Sequence, residues 1–268
     1  MSTIILLYLL VGILAGFLAG LFGLGGGVIV VPALVFAFTH QGMPVETLTH
    51  MAVGTSFAVI CVSSVSSVRA HHKNGFVLWP VVGKMAPGLV LGVALGVFTV
   101  IHIPGQTLQW LIGAYLLLVA LQMVTASASA SERSLPDGKW LFSAGGVIGW
   151  VSALFGIGGG SLSVPFLSHF GARMQNAVAT SAACGVPIAF AGAISNMVAG
   201  ISRQGLPEWS LGYVYLPAFL GIALMSAPFA KLGAGLAKRL PSHLLKRLFA
   251  LFLAIIGSSL ILKATGIA

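Results

Sequence analysis

The polar chemistry of this chain is concentrated in a few short motifs set in apolar sequence. LFGLGGGVIVVP at residues 21–32 returns as LFGIGGGSLSVP at residues 154–165, with eight of twelve positions identical at a constant offset of 133. Each copy carries three consecutive glycines, Gly25-Gly26-Gly27 and Gly158-Gly159-Gly160. Such a triplet breaks a membrane helix, permits tight turns and lets another group approach the backbone closely. Backbone N–H and C=O groups cannot stay unpaired in lipid, so an unwound stretch there must be covered by protein or line a water-filled cavity. Amides exposed at the start of a following helix form an anion site. Pro32 and Pro165 are expected at the first position of that helix, where proline fits. Ser161 and Ser163 add hydroxyls in the second copy, where Val28 and Val30 stand in the first.

A second duplicated motif lies downstream. Ala52-Val53-Gly54-Thr55-Ser56 is matched by Ala177-Val178-Ala179-Thr180-Ser181, now offset by 125. Membrane hydroxyls often bond their own helix backbone, but their paired occurrence favours a shared pocket. Thr55, Ser56, Thr180 and Ser181 therefore join the glycines and Ser161 as candidate substrate-binding residues. His50 aligns with Gln175, which suggests polar groups at matching depths, and Asn196 is polar inside an uncharged span. These three are candidates for coupling or for lining the path, His50 because its ordinary pKa allows it to titrate near neutral pH.

The elements that must hold these residues follow from composition. Of 268 residues, 58% are hydrophobic and 6% charged, against roughly 25% charged in soluble domains. Residues 1–45, 47–68, 85–131, 140–172, 174–202, 209–230 and 248–262 contain no Asp, Glu, Lys or Arg. A membrane helix takes about 20 apolar residues, so several of these runs fit one crossing and the longest fit two. The chain is expected to be an all-α polytopic membrane protein. Continuous rather than alternating hydrophobicity excludes a β-barrel. The net charge of +9 fits basic cytoplasmic loops rather than nucleic-acid binding. Residues 4–22 read as a retained first span rather than a signal peptide. Cys61 and Cys184 sit in apolar runs and form no metal or redox motif.

The duplication extends over two halves, residues 1–124 and 139–268, joined by a polar linker at 125–138, TASASASERSLPDG. In the first half the basic residues Arg69, His71, His72, Lys73 and Lys84 cluster in one loop, and in the second half the cluster falls in the last loop, at Lys231, Lys238, Arg239, Lys246 and Arg247. Positive loops stay in the cytoplasm, so equivalent loops are placed on opposite sides. That is an inverted repeat, which many secondary transporters use. Inversion requires an odd number of crossings per half. Residues 1–39 then form a helix near 4–22 and a shorter one near 31–39, residues 140–170 behave likewise, and ten helical elements are expected, with both termini outside. A conventional hydropathy count gives about eight. Gly12/Gly16/Gly20 and Gly88/Gly92/Gly96, at four-residue spacing, read as helix-packing surfaces.

The duplicated G-x-G-G-G…P signature, the A-x-x-T-S elements and the length resemble the sulfite exporter TauE/SafE family over essentially the whole chain. The resemblance implies a bacterial cytoplasmic-membrane permease for sulfite, organosulfonates or related small anions. It implicates Gly25, Gly26, Gly27, Gly158, Gly159 and Gly160 as central breaks, with Thr55, Ser56, Thr180 and Ser181 nearby. The residues agree. Glu46, Glu132, Asp137 and Glu208 all fall near loops, which argues against a carboxylate relay or a cation substrate. No metalloprotease or nucleophile-elbow motif is present, so no enzyme activity, cofactor or metal is expected. The expected partners are a small anion and the lipid bilayer; homo-oligomerisation stays open. The favoured function is alternating-access export of sulfite or an organosulfonate. The alternatives are a carrier for a small carboxylate or another inorganic anion, or an anion channel.

Overall fold

The computed structural model describes residues 2–22, 26–125, 135–237 and 242–265. These contain ten α-helices and one short hairpin. In chain order the helices are α1 (Ser2–Phe22), α2 (Gly27–His40), α3 (Val45–Lys73), α4 (Trp79–Val100) and α5 (Gly105–Thr125). Beyond the linker come α6 (Gly138–Phe155), α7 (Gly160–His169), α8 (Met174–Gly200), α9 (Leu216–Ala237) and α10 (Ser242–Ala264). Five helices thus stand on each side of the linker, and in each half the second helix is the short one. Gly25, most of the linker, Lys238 and Arg239 lie outside the described residues.

Among the described residues, α3, α4 and α8 are long and apolar enough to cross a membrane. Shorter apolar stretches occupy Ile5–Leu18, Gly27–His40, Leu216–Ala230 and Ala250–Leu262. The molecule also turns large apolar side chains outward. Leu91, Leu95 and Phe98 of α4, Leu121 of α5, Val147 of α6, Leu224 of α9 and Leu251 of α10 are all more than half exposed. In water that much exposed apolar surface is a liability; in a bilayer it is the surface lipid requires.

The most extensive helix contacts all join the first half to the second: α1 with α9, α4 with α6, α3 with α8 and α5 with α10. Small residues make these approaches close. Gly12 lies against Ile222 and Gly16 against Ser226; Gly88, Gly92 and Gly96 lie against Phe142, Gly146 and Trp150. In both pairs contact positions rise together along the chain, so α1 runs parallel to α9 and α4 parallel to α6. The other two pairs run opposite ways. Gly54 meets Asn196, Gly192 meets Phe57, and Gly185 meets Ser64. Gln106 at the start of α5 donates to the Ala264 carbonyl at the end of α10, while Gly113 packs on Gly257.

Two expectations need correction. The short helices start earlier than proline placement suggested. α2 begins at Gly27 and α7 at Gly160, so Pro32 and Pro165 are each the sixth helical residue. The glycine before each helix adopts the left-handed conformation that starts it, and proline is instead carried inside. There it withholds one N–H, so the carbonyl four residues back receives no helical bond from it. The second departure is the hairpin, Ser210–Leu211 paired with Val214–Tyr215, inside the loop before α9. Gly212, at φ 56°, lies so close to the Met197 carbonyl that a Cβ would collide with it. Tyr213 is buried beneath this turn.

The tight glycine seams give a stability test. A Cβ on Gly92 would run into the Gly146 carbonyl oxygen, whereas one on Gly83 meets nothing within 4 Å. Gly92→Leu is expected to cost about 1–3 kcal/mol through overpacking and to lower the Tm in detergent, while Gly83→Ala holds or slightly raises it.

Candidate anion site at two helix breaks

The two glycine breaks have the same local structure. α2 is preceded by Gly26 at φ 76°, and α7 by Gly159 at φ 75°. Both values lie in the left-handed region that favours glycine. In the second half, α6 closes on Gly156, at φ 64°, and the Ile157 amide folds back onto the Ser152 carbonyl at 3.1 Å. The first amides inside each short helix to find an acceptor are Ile29 and Val30, on Gly26, and Leu162 and Ser163, on Gly159. The amides of Gly27, Val28, Gly160 and Ser161 therefore have no acceptor among the described residues. They are the orphan donors of a helix start.

The start of α2 meets the turn that leads into α7. A Cβ on Gly27 would sit 2.9 Å from both the Gly156 carbonyl oxygen and Ile157 Cα. Ile60 touches both breaks, lying against Gly27 and Gly158, and it is the sixteenth of the 29 residues of α3. From the other side, a Cβ on Gly185 of α8 would sit 3.2 Å from the Gly158 carbonyl oxygen. The breaks thus come together beside Ile60 at the middle of α3, and α8 closes the second one. The Ser56 hydroxyl fixes the second one by donating to the Gly156 carbonyl at 2.8 Å.

The threonines of the Thr-Ser pairs clamp the two halves together. The Tyr215 amide donates to Thr55 Oγ1 at 3.0 Å, and the Leu78 amide donates to Thr180 Oγ1 at 3.0 Å. Tyr215 and Leu78 are the residues immediately before α9 and α4. Each threonine therefore holds the first free amide of the other half's next helix. Ser181, in contrast, is buried and its hydroxyl has no partner.

Polar groups are distributed unequally around the breaks. On the second, Ser161 is hydrogen-bonded to Tyr115 of α5, whose ring stacks on Phe155 with centroids 4.1 Å apart. Ser152 and Ser163 are fully buried and their hydroxyls have no partner. Ser152 and Tyr115 were not singled out in the sequence, since neither belongs to a duplicated motif. The first break opens on a cleft of about 20 Å³ walled by Gly16, Val30, Val59 and Ile60, room for roughly one water. The serines beside it, Ser63 and Ser226, already bond carbonyls of their own helices, Ile60 and Ala223.

His50 and Gln175 do not occupy matching environments. The His50 ring is buried, its nitrogens 3.0 Å from the Glu46 carbonyl and 3.1 Å from that of Val100, with Tyr213 beside it at 5.5 Å. Gln175 is exposed. The cause is loop length. The hairpin that carries Tyr213 over His50 has no counterpart in the short 74–78 connection near Gln175, where Asn176 instead donates to the Phe76 carbonyl. Asn196 is buried, with its amide on the Gly192 carbonyl and its Oδ1 unpartnered.

Ten helices that turn apolar side chains outward define a polytopic helical membrane protein. The family model for the sulfite exporter TauE/SafE family matches residues 8–260, and this chain belongs to that family. It is 39% identical to a probable membrane transporter protein of Haemophilus influenzae, over 98% of this chain and 100% of that one. A probable membrane transporter protein of Methanocaldococcus jannaschii is 32% identical over 89% of this chain and 88% of its own. The probable membrane transporter protein YunE of Bacillus subtilis is 26% identical over 97% and 98%. No solved structure matches the chain.

The different employment of the two α8 hydroxyls is measurable. Thr180→Val leaves the Leu78 amide without its acceptor and is expected to cost about 1–3 kcal/mol. Ser181→Ala removes a hydroxyl with no partner and is expected to leave the unfolding temperature of the purified protein unchanged.

Proposed function

We propose that this protein is a secondary carrier that exports a small oxyanion, sulfite or an organosulfonate, by alternating access around the two glycine breaks. The observation that carries the reading is the meeting of the α2 start with the turn that leads into α7, where the amides of Gly27, Val28, Gly160 and Ser161 have no acceptor among the described residues. A helix N-terminus carries about half a positive charge, so two of them facing one space attract an anion without a buried Lys or Arg. Among the described residues the helices carry one carboxylate, Glu46 in the first turn of α3, so the breaks offer a cation no Asp or Glu. The family name and the relatives' names point to transport and, for the family, to sulfite.

Alternating access on this fold is a rocking of one half against the other about the central site. The contact order supports an inverted repeat. α3 and α8 are equivalent in the duplication and cross antiparallel, and so are α5 and α10, while α1–α9 and α4–α6 exchange under the same correspondence. With that alternation the two basic loops fall on one side, the cytoplasmic one, and both termini fall outside. An inside-negative potential then drives an anion outward by about 2.3 kcal/mol per charge per 100 mV, so export needs no coupled ion.

Reconstituted vesicles test this. Efflux of sulfite or methanesulfonate is expected to saturate with concentration, to rise with an inside-negative potential and to be accelerated by the same anion on the far side. Unsaturating flux with single-channel currents identifies a channel instead. Gly159→Leu, which cannot adopt the left-handed start of α7 without strain, is expected to abolish flux.

A further inference from the structure

The duplicated breaks are not chemically equal, and the inequality assigns the anion to one of them. We propose that the oxyanion is held at the N-terminus of α7, with Ser152 and Ser163 as its hydroxyl donors, and that the α2 break supplies no side-chain donor to it. This rests on the anion-carrier reading above and specifies the residues that bind.

Three observations carry it. The amides of Gly160 and Ser161 are unclaimed at the start of a ten-residue helix. Two hydroxyls flank that start: Oγ of Ser152 and Oγ of Ser163 each lie 3.5 Å from the position a Cβ would take on Gly159. Both serines are 0% exposed and both hydroxyls lack a partner. A buried hydroxyl without a partner is a cost to the fold, and an oxyanion with several acceptor oxygens removes it twice over while also meeting the amides. The equivalent positions in the first half, at the repeat offset, are Ala19 and Val30, which offer no donor. Val30 instead packs in the small cleft beside Gly26. The Ser161 hydroxyl is already engaged by Tyr115, so Ser152 and Ser163 are the side-chain donors left for a ligand.

The test is calorimetric titration of the purified full-length protein with sulfite and with methanesulfonate, alongside the unliganded Tm, for Ser152→Ala, Ser163→Ala and Ser63→Ala. Each of the first two is expected to raise Kd about tenfold or more, the loss typical of a hydrogen bond to a charged group, while leaving the unliganded Tm unchanged or raising it. Ser63→Ala, on the first break, is expected to change neither. Unchanged Kd in both Ser152→Ala and Ser163→Ala overturns the proposal, since the hydroxyls then hold at most a water, and leaves the carrier reading intact. A fall in unliganded Tm also overturns it, because the hydroxyls are then structural. Failure of the folded wild type to bind either anion removes the anion-carrier reading and this proposal with it.

Discussion

A lipid-embedded backbone must satisfy its own hydrogen bonds, and this molecule breaks that rule only where its inner helices can cover the breach. Both glycine breaks lie against the middle of α3, α8 closes the second, and each is held by contacts from the opposite half. Ser56 takes the Gly156 carbonyl, and Ile60 fills the space between Gly27 and Gly158. What remains unsatisfied is a set of donors, the amides at the starts of α2 and α7. The Gly156 carbonyl is covered by Ser56 while these amides are left, and a helix start carries partial positive charge without a charged residue.

The same constraint explains why the halves are interleaved. A half-helix ending in mid-bilayer needs a neighbour that reaches the middle from the other direction. The chain meets this by pairing α1 with α9 and α4 with α6 across the halves, through glycines that bring the backbones into direct contact. Thr55 and Thr180 complete the exchange by capping the helix starts of the opposite half. Motion of one half relative to the other must act on these contacts, so the threonine bonds belong both to the fold and to any transport cycle.

Much of the architecture was legible from residue types. The repeated glycine triplets, their offset of 133 and the uncharged runs led to ten elements with two short ones, because three adjacent glycines do not continue a helix in lipid. The four-residue glycine spacing in α1 and α4 correctly marked packing surfaces. Helix starts were less legible. Pro32 and Pro165 suggest first-turn positions by type, but the left-handed glycines Gly26 and Gly159 set the start several residues earlier. The His50–Gln175 alignment was legible as a correspondence and not as an environment, because burial of His50 depends on a hairpin only four paired residues long.

The sequence alone determined that the chain lives in a membrane, that it is built twice from one plan, and that each copy is interrupted at one place. Those are properties of composition and local conformation, which short-range physics dictates. Only the tertiary structure decided which hydroxyls are spent on the fold and which are left over. Thr55, Ser56, Thr180 and Ser181 are alike in sequence, yet three are bonded to the other half and Ser181 is not. Ser152 belongs to no motif, yet stands beside Gly159. Whether a hydroxyl has a partner depends on which backbone group arrives from a hundred or more residues away, and no local pattern encodes that arrival.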